Sequence, residues 1–498
     1  MRLFEDPATD RRFNRMQWRM LFATMIGYTL FYFMRKNFSF AMPGLEQDCG
    51  ISKSMLGNFL LAGGIVYGIS KFVNGVVGDK VNPRKMLCFG LLTCTLINVA
   101  FGFAPQIAAL FGGGTRSCAS AASADGSHAV ALAWVLGSLL VLNQFFQGTG
   151  FPPCAKLIAF WVPPKELATK MSVWNTSHSI GGGLVAKVCG VIMGLGVIGS
   201  AHQGVGMWKW CFWSMAALGF LGLVLMWLWL PGTPKEEGLP DLPGTETGGS
   251  RSCATEKTGG SRSCATEKTG GSRSCATEKG ADAQERVPPA NGPSMARMVF
   301  LNPVIWMLGL CNFSINAARA LVADWGPTML QEAKGLTSSE AGTAIMLFEF
   351  AGIAGMLFAG WATDRFFGGR APRLCLFLMA ITAALVAAFW FLPAGGATGF
   401  LAVAALCLAG FTLYGPQALT GVTATNTSTK LYAGTSIGFI SLFSYVGVAV
   451  SGKVCGSLAQ ATGAWRAPVL VIAGVAAVGA VLFLLLWNVR ANSYDSDK

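Results

Sequence analysis

The chain has 498 residues, of which 53% are hydrophobic and 12% charged; soluble domains carry about 25% charged residues, so this is a polytopic membrane protein. The net charge of +13 gathers into no compact basic domain or aromatic-interleaved groove, which excludes a nucleic-acid partner. The 14 cysteines lie mostly in apolar runs without metal-ligand spacing, so they read as small apolar fillers rather than as metal ligands or a disulfide framework.

In chain order, Arg11, Arg12, Arg15 and Arg19 lead straight into a full-length apolar run, which reads as an uncleaved anchor rather than a signal peptide. Apolar runs of membrane-crossing length, about 20 residues, begin near Trp18, Met55, Met86, Val130, Met171, Trp210, Phe300, Ala341, Arg373, Gly399, Gly434 and Pro468. That makes twelve, six on each side of one polar stretch. Lysines and arginines crowd the N-terminus, alternate loops and C-terminus, whereas the opposite loops hold only Lys53, Arg116, Lys209, Lys334 and Arg466. This asymmetry places both termini in the cytoplasm. The predicted organisation is a six-helix half over 1–231, a cytoplasmic linker over 232–298 and a second six-helix half over 299–498. The linker repeats Thr-Gly-Gly-Ser-Arg-Ser-Cys-Ala-Thr-Glu-Lys at Thr247–Lys257, Thr258–Lys268 and Thr269–Lys279. Two glycines and almost no large apolar residue per unit predict disorder. A near-copy, Gly113–Ala119, falls in a Gly-rich insertion between the third and fourth runs.

The halves repeat each other. Gly75-Val-Val-Gly-Asp79-Lys80 returns as Gly360-Trp-Ala-Thr-Asp364-Arg365, 285 residues on, and Arg35 and Arg319 are 284 apart. Lys187-Val-Cys-Gly190 returns as Lys453-Val-Cys-Gly456 at 266, and the difference matches the insertion around Gly112 to Ala129. Parallel halves in a six-plus-six layout are the architecture of major facilitator transporters, so an all-α integral membrane protein of that fold is expected, with 12 transmembrane helices in two pseudosymmetric halves. The Gly-x-x-x-Asp-Arg/Lys turns resemble that superfamily's cytoplasmic signature. Asp79, Lys80, Asp364 and Arg365 are accordingly expected to gate the conformational change.

The charges inside the apolar runs point to function. Arg35, Lys36, Lys71, Lys156, Lys187, Arg319 and Lys453 lie within them, against Glu349 and, near an outer end, Asp324. A mid-membrane cation costs at least about 2.5 to 3.5 kcal/mol and normally faces a bundle interior or watery cavity. These cations cannot all pair internally, so the missing counter-charge is read as an anionic substrate; Lys36, Lys156 and Lys187 also admit structural or snorkelling roles. Arginine on two pseudosymmetric helices suits phosphate, because its planar fork donates bidentately to oxyanions. Tyr28, Tyr32 and Arg35 fall at i, i+4 and i+7, and Tyr67 and Lys71 at i and i+4, each set on one helix face. Phenylalanine outnumbers tyrosine 34 to 7, yet Tyr28, Tyr32, Tyr67, Tyr414 and Tyr445 all sit within the runs, a pattern that suggests a polar cavity. No P-loop, metal cluster or nucleophile-base pair accompanies them, so neither a cofactor nor a catalytic role is expected. The Gly181-Gly182-Gly183 run reads as close helix packing.

Four stretches carry a resemblance: Tyr-Phe-Met-Arg35-Lys-Asn-Phe-Ser-Phe-Ala-Met-Pro, Trp174-Asn-Thr-Ser-His178-Ser-Ile-Gly-Gly, Ala-Ala-Arg319-Ala-Leu-Val-Ala-Asp-Trp-Gly-Pro and Phe-Glu349-Phe-Ala-Gly-Ile-Ala-Gly. They are similar to the organophosphate:inorganic phosphate antiporter family, and Leu301-Asn-Pro-Val-Ile-Trp306 resembles its hexose-phosphate transporter and sensor branch. The resemblance implies that Arg35 and Arg319 bind the substrate phosphate. It further implies that Tyr28, Tyr32, Tyr67, Lys71, His178, Tyr414 and Tyr445 line the pathway and that Lys453 takes part in sugar-phosphate recognition. Ser179 and Asn316 depart from residues usual in the family or its glycerol-phosphate carriers. The expected activity is exchange of a hexose 6-phosphate for inorganic phosphate by alternating access in a bacterial inner membrane. The alternatives are a hexose-phosphate sensor acting with a membrane kinase partner, a glycerol-3-phosphate or phosphoglycerate antiporter, and a cation-coupled symporter, which the scarcity of embedded acids opposes.

Overall fold

The computed structural model describes residues 4, 6–112, 127–198, 206–240, 242, 296–393, 396–427 and 433–489, and the described residues form helices without strands. The three linker repeats and the near-copy at Gly113–Ala119 lie outside them. In the first half, α1 (Pro7–Cys49), α2 (Lys53–Lys80) and α3 (Pro83–Gly102) are followed by the short α4 (Ala104–Gly112). Then come α5 (Ser127–Gln147), α6 (Phe151–Trp161), α7 (Pro164–Ile198) and α8 (Trp208–Trp229). After a single π-helical turn at Ala296–Phe300, the second half comprises α9 (Pro303–Lys334), α10 (Ser338–Phe366) and α11 (Ala371–Phe391). It continues through α12 (Gly396–Thr427), α13 (Ala433–Thr462) and α14 (Arg466–Leu485).

Among the described residues, 11 helical segments are long and apolar enough to cross a bilayer, with α5 and α6 joined as one span, Val130–Trp161. The twelfth, α1, is long enough at 43 residues, but Arg19, Arg35, Lys36 and its polar neighbours dilute its apolar run below the others. The internal repeat reaches down to the caps. α1 stops at Gly50, with φ of 66°, and Ser52 caps α2; α9 stops at Gly335, also with φ of 66°, and Thr337 caps α10. Both stops place a left-handed residue at the helix end, where glycine carries no Cβ penalty.

The bundles α1–α8 and α9–α14 meet along two seams, α2 against α13 and α7 against α10, with α1 touching α9. Both seams are shut at the end holding the α1–α2 and α9–α10 turns. There a Cβ added to Gly456 would lie 2.6 Å from the Lys53 carbonyl, and one on Gly190 2.6 Å from the Ser338 carbonyl. The two Lys-Val-Cys-Gly motifs work in parallel: Lys187 donates to Thr343 Oγ1 at 2.8 Å and Lys453 to Ser54 Oγ at 3.2 Å. Lys53 adds ion pairs to Glu46 at 2.5 Å and, across the seam, to Glu332 at 3.0 Å. Farther along, contact persists to Gly68 beside Tyr445 and Gly182 beside Glu349; beyond, a Cβ at Gly75 or Gly438 would meet nothing within 4 Å. The molecule is therefore closed at one end and open at the end that bears the start of α1.

Lys80, Asp364 and Arg365 stand exposed at the open end, and no ion pair joins them among the described residues; the Asp79 side chain lies outside the description. Lys156 takes the structural role that the sequence also admitted. It donates to the Gly78 carbonyl at 2.8 Å and the Val81 carbonyl at 3.3 Å, at the end of α2. The chain breaks between α5 and α6, which carries Lys156 to that helix end.

Candidate functional site

A cavity of about 330 Å³ lies between the halves, just inside the closed end. The first half lines it with Tyr28, Tyr32, Arg35 and Lys36 from α1, Tyr67 and Lys71 from α2, and His178 from α7. The second half contributes Asn316, Arg319 and Asp324 from α9, Gln417 from α12, and Ser441, Ser444 and Tyr445 from α13. A larger groove of about 680 Å³ runs between α2 and α5, but Met55, Phe59, Val66, Val130 and Trp134 make it apolar and it holds no charge. The chemistry sits in the smaller cavity.

The helix periodicity inferred for Tyr28, Tyr32 and Arg35 does gather them. The Arg35 guanidinium lies 3.9 Å from the Tyr67 ring centre and 5.8 Å from that of Tyr32. Lys71 Nζ lies 5.5 Å from the Tyr67 ring, 5.1 Å from the Tyr445 ring and 4.8 Å from the Phe151 ring. Tyr67 and Tyr445 themselves pack edge to face at 5.1 Å, so an aromatic cradle supports both cations through ring quadrupoles. Neither Arg35 nor Lys71 has a carboxylate within 4 Å among the described residues.

Arg319 is different, and here the expectation of uncompensated arginines on both halves is corrected. Its Nη2 pairs with Glu349 Oε1 at 3.2 Å and its Nε donates to the Tyr414 hydroxyl at 2.7 Å; that hydroxyl donates in turn to Glu349 Oε2. Glu349 can approach because Gly182 faces it: a Cβ there would stand 3.3 Å from its carboxyl carbon. Gly181 likewise lets α7 close on Tyr32 of α1, the close packing expected of the glycine run. Lys36 is also neutralised, by Asp324 across the halves at 2.5 Å. The excess charge in the cavity therefore belongs to Arg35 and Lys71. The sequence could not assign these pairs, because Glu349 lies 30 positions from Arg319 and Asp324 288 from Lys36, and only the packed bundle brings them together.

His178 is buried, donates through Nδ1 to the Asn175 carbonyl, and stacks parallel to Tyr414 at 6.4 Å. Its Nε2 is buried without a partner. Tyr414 joins the site through Arg319 and Glu349 rather than by lining the cavity. Lys453 does not join it: it lies at the shut end of the α2–α13 seam, turned toward Ser54 of α2. The sequence reading singled out Asn316 only as a departure from the family's glycerol-phosphate carriers, and it missed Gln417, Ser441 and Ser444. Among the described residues no His, Cys, Asp and Glu gather closely enough to hold a metal ion.

Fold and site together define a membrane carrier with a central, cation-lined cavity open to one side. Residues 24–452 match the Major Facilitator Superfamily. The chain is 32% identical to a probable hexose phosphate transport protein of Chlamydia pneumoniae, covering 97% of this chain and 94% of that one. It is 31% identical to the membrane sensor protein UhpC of Salmonella typhimurium, again over 97% and 94%. Its fold matches the inward-facing, occupied crystal structure of a bacterial homologue of the human lysosomal transporter Spinster with a TM-score of 0.65, 14% identity and coverage of 94% and 96%. The chain belongs to the Major Facilitator Superfamily, in its organophosphate:inorganic phosphate antiporter branch.

Proposed function

We propose that the protein exchanges a sugar phosphate, a hexose 6-phosphate in particular, for inorganic phosphate by alternating access, in a bacterial inner membrane with both termini cytoplasmic. The observation that carries this reading is the pair Arg35 and Lys71, two cavity cations with no carboxylate within 4 Å among the described residues. Closing the open end over an empty cavity would bury them unpaired, at a cost on the order of several kcal/mol. A phosphoryl group donated to by Arg35 and Lys71 removes that cost, and the halves rock shut around it. The Tyr28, Tyr32, Tyr67 and Tyr445 hydroxyls donate further hydrogen bonds, and His178 Nε2, an acceptor while Nδ1 holds the proton, takes one from a substrate O–H. Arg319 enters by sharing its guanidinium between Glu349 and the substrate. Obligatory exchange follows, because the empty carrier cannot close. Glu349 and Asp324 are each committed to a cation, which supports exchange over proton-coupled symport. Asp79, Lys80, Asp364 and Arg365 would form their gating contacts in the state closed at the terminal end. We place the halves at 1–231 and 299–498, joined by the linker at 232–298.

Reconstituted vesicles loaded with phosphate test the reading. Rapid self-exchange of labelled phosphate, accelerated by external glucose 6-phosphate and indifferent to proton or sodium gradients, is expected; uptake that follows either gradient overturns it. The similarity to a membrane sensor favours a second reading, in which hexose phosphate binding is passed to a kinase partner. That protein would bind ligand with little or no exchange in the same vesicles.

A further inference from the structure

The two walls of the cavity differ in chemistry as well as in charge. The wall contributed by α9, α12 and α13 carries uncharged amides and hydroxyls, Asn312, Asn316, Gln417, Ser441 and Ser444. Their nitrogens are turned inward. Asn312 Nδ2 donates to the Ile440 carbonyl at 3.2 Å, and Asn316 Nδ2 to the Asn312 carbonyl at 2.9 Å and to Asn312 Oδ1 at 3.0 Å. The Asn316 and Gln417 oxygens are left over. Gln417 Oε1 is buried with no partner, and neither Asn316 Oδ1 nor Ser444 makes a hydrogen bond to a described residue. A buried acceptor without a donor carries a desolvation penalty until something donates to it. The ionised oxygens of a phosphate ester cannot, being acceptors themselves, whereas alcohol O–H groups can. Asn316 precedes Arg319 by three residues and Gln417 follows Tyr414 by three, on helices running in opposite directions, so both amides sit one turn nearer the open mouth than the Arg319–Tyr414 contact.

We propose that Asn316, Gln417 and Ser444 form the subsite that reads the hydroxyl groups of the substrate's organic part. The ligand is thereby oriented with its phosphoryl group toward Arg35 and Lys71 and its polyol toward the α9–α12–α13 wall. The site selects polyhydroxylated phosphate monoesters over esters of the same charge lacking hydroxyls. This subsite rests on the transport reading above for the placement of the phosphoryl group. A site built to hydrogen-bond a hydroxyl rejects the analogue lacking it far more strongly than an apolar pocket rejects an extra methylene.

The test compares glucose 6-phosphate with ethyl phosphate, which has the same headgroup and no free alcohol, as competitors of labelled phosphate exchange. In the wild-type protein the sugar ester should compete at least about tenfold better, and in Gln417→Leu or Asn316→Ala that ratio should shrink by about tenfold, the loss of one or two such hydrogen bonds. Ser444→Ala, which removes one hydroxyl, should shrink it by about threefold. A wild-type ratio near one, or the same ratio in all three variants, overturns the subsite. Equilibrium binding of the two esters to purified protein gives the same ratio without transport. An absence of phosphate exchange therefore defeats the transport reading, while the binding ratio still decides the subsite.

Discussion

Arg35 and Arg319 occupy matching positions of an internal repeat, yet their surroundings have opposite electrical character. Arg35 rests on the faces of Tyr67 and Tyr32; Arg319 is held by Glu349 and Tyr414. Duplication carries a backbone position from one half to the other, but charge state depends on what a neighbouring helix presents. α10 supplies a carboxylate beside α9, and the described part of α2, its counterpart beside α1, supplies Tyr67 and Lys71. The half that keeps its positive charge uncompensated is the half suited to hold an anion.

The contrast can be broken by substitution. The largest effect is expected of Arg35→Gln, which should lower phosphate exchange in vesicles by roughly a hundredfold or more, since truncating one member of a buried charge pair costs about 3 to 5 kcal/mol. Arg35→Lys keeps the charge and loses the planar fork, and should still reduce exchange at least about tenfold; Arg319→Lys should reduce it as well, but less, because Glu349 already takes part of its hydrogen bonding. Equal loss in both lysine variants would erase the asymmetry. Glu349→Gln sharpens the comparison from the other side. It frees Arg319, so phosphate should bind roughly three- to tenfold tighter by equilibrium measurement while exchange slows, because the freed guanidinium retains the anion. The smallest effect is expected of Lys453→Met, which removes a hydrogen bond at the shut seam without touching the cavity. Thiol labelling of a Ser339→Cys reporter should quicken by about two- to fivefold, the scale of one hydrogen bond, and the competition ratio of two sugar phosphates should stay as it was.

Much of this was legible before any coordinates. Apolar run lengths and the register of Asp79 with Asp364 and Arg35 with Arg319 pointed to twelve spans in two halves, and the scarcity of tyrosine against phenylalanine pointed to Tyr28, Tyr32, Tyr67 and Tyr445. Contacts between helices were beyond that reading. Lys36 with Asp324 and Arg319 with Glu349 are pairs made by packing, and no spacing along one helix encodes them. Lys453 was assigned by likeness to a sugar-phosphate position, but its rotation about α13 turns it to Ser54 on the facing helix. Gln417 went unnoticed, and Asn316 drew attention only as a departure from a family pattern, because a neutral amide in an apolar run raises no alarm comparable to a charge.

The paired Lys-Val-Cys-Gly segments have a mechanical corollary. Each sets a lysine from one bundle against a hydroxyl of the other, with a glycine one turn further on where the backbones nearly touch. Two matching clasps, Lys187 on Thr343 and Lys453 on Ser54, stand on opposite flanks of the same doorway and share the load on its shut end. The far door should swing with both hinges at once, and weakening either clasp should make the swing more frequent without altering what passes through.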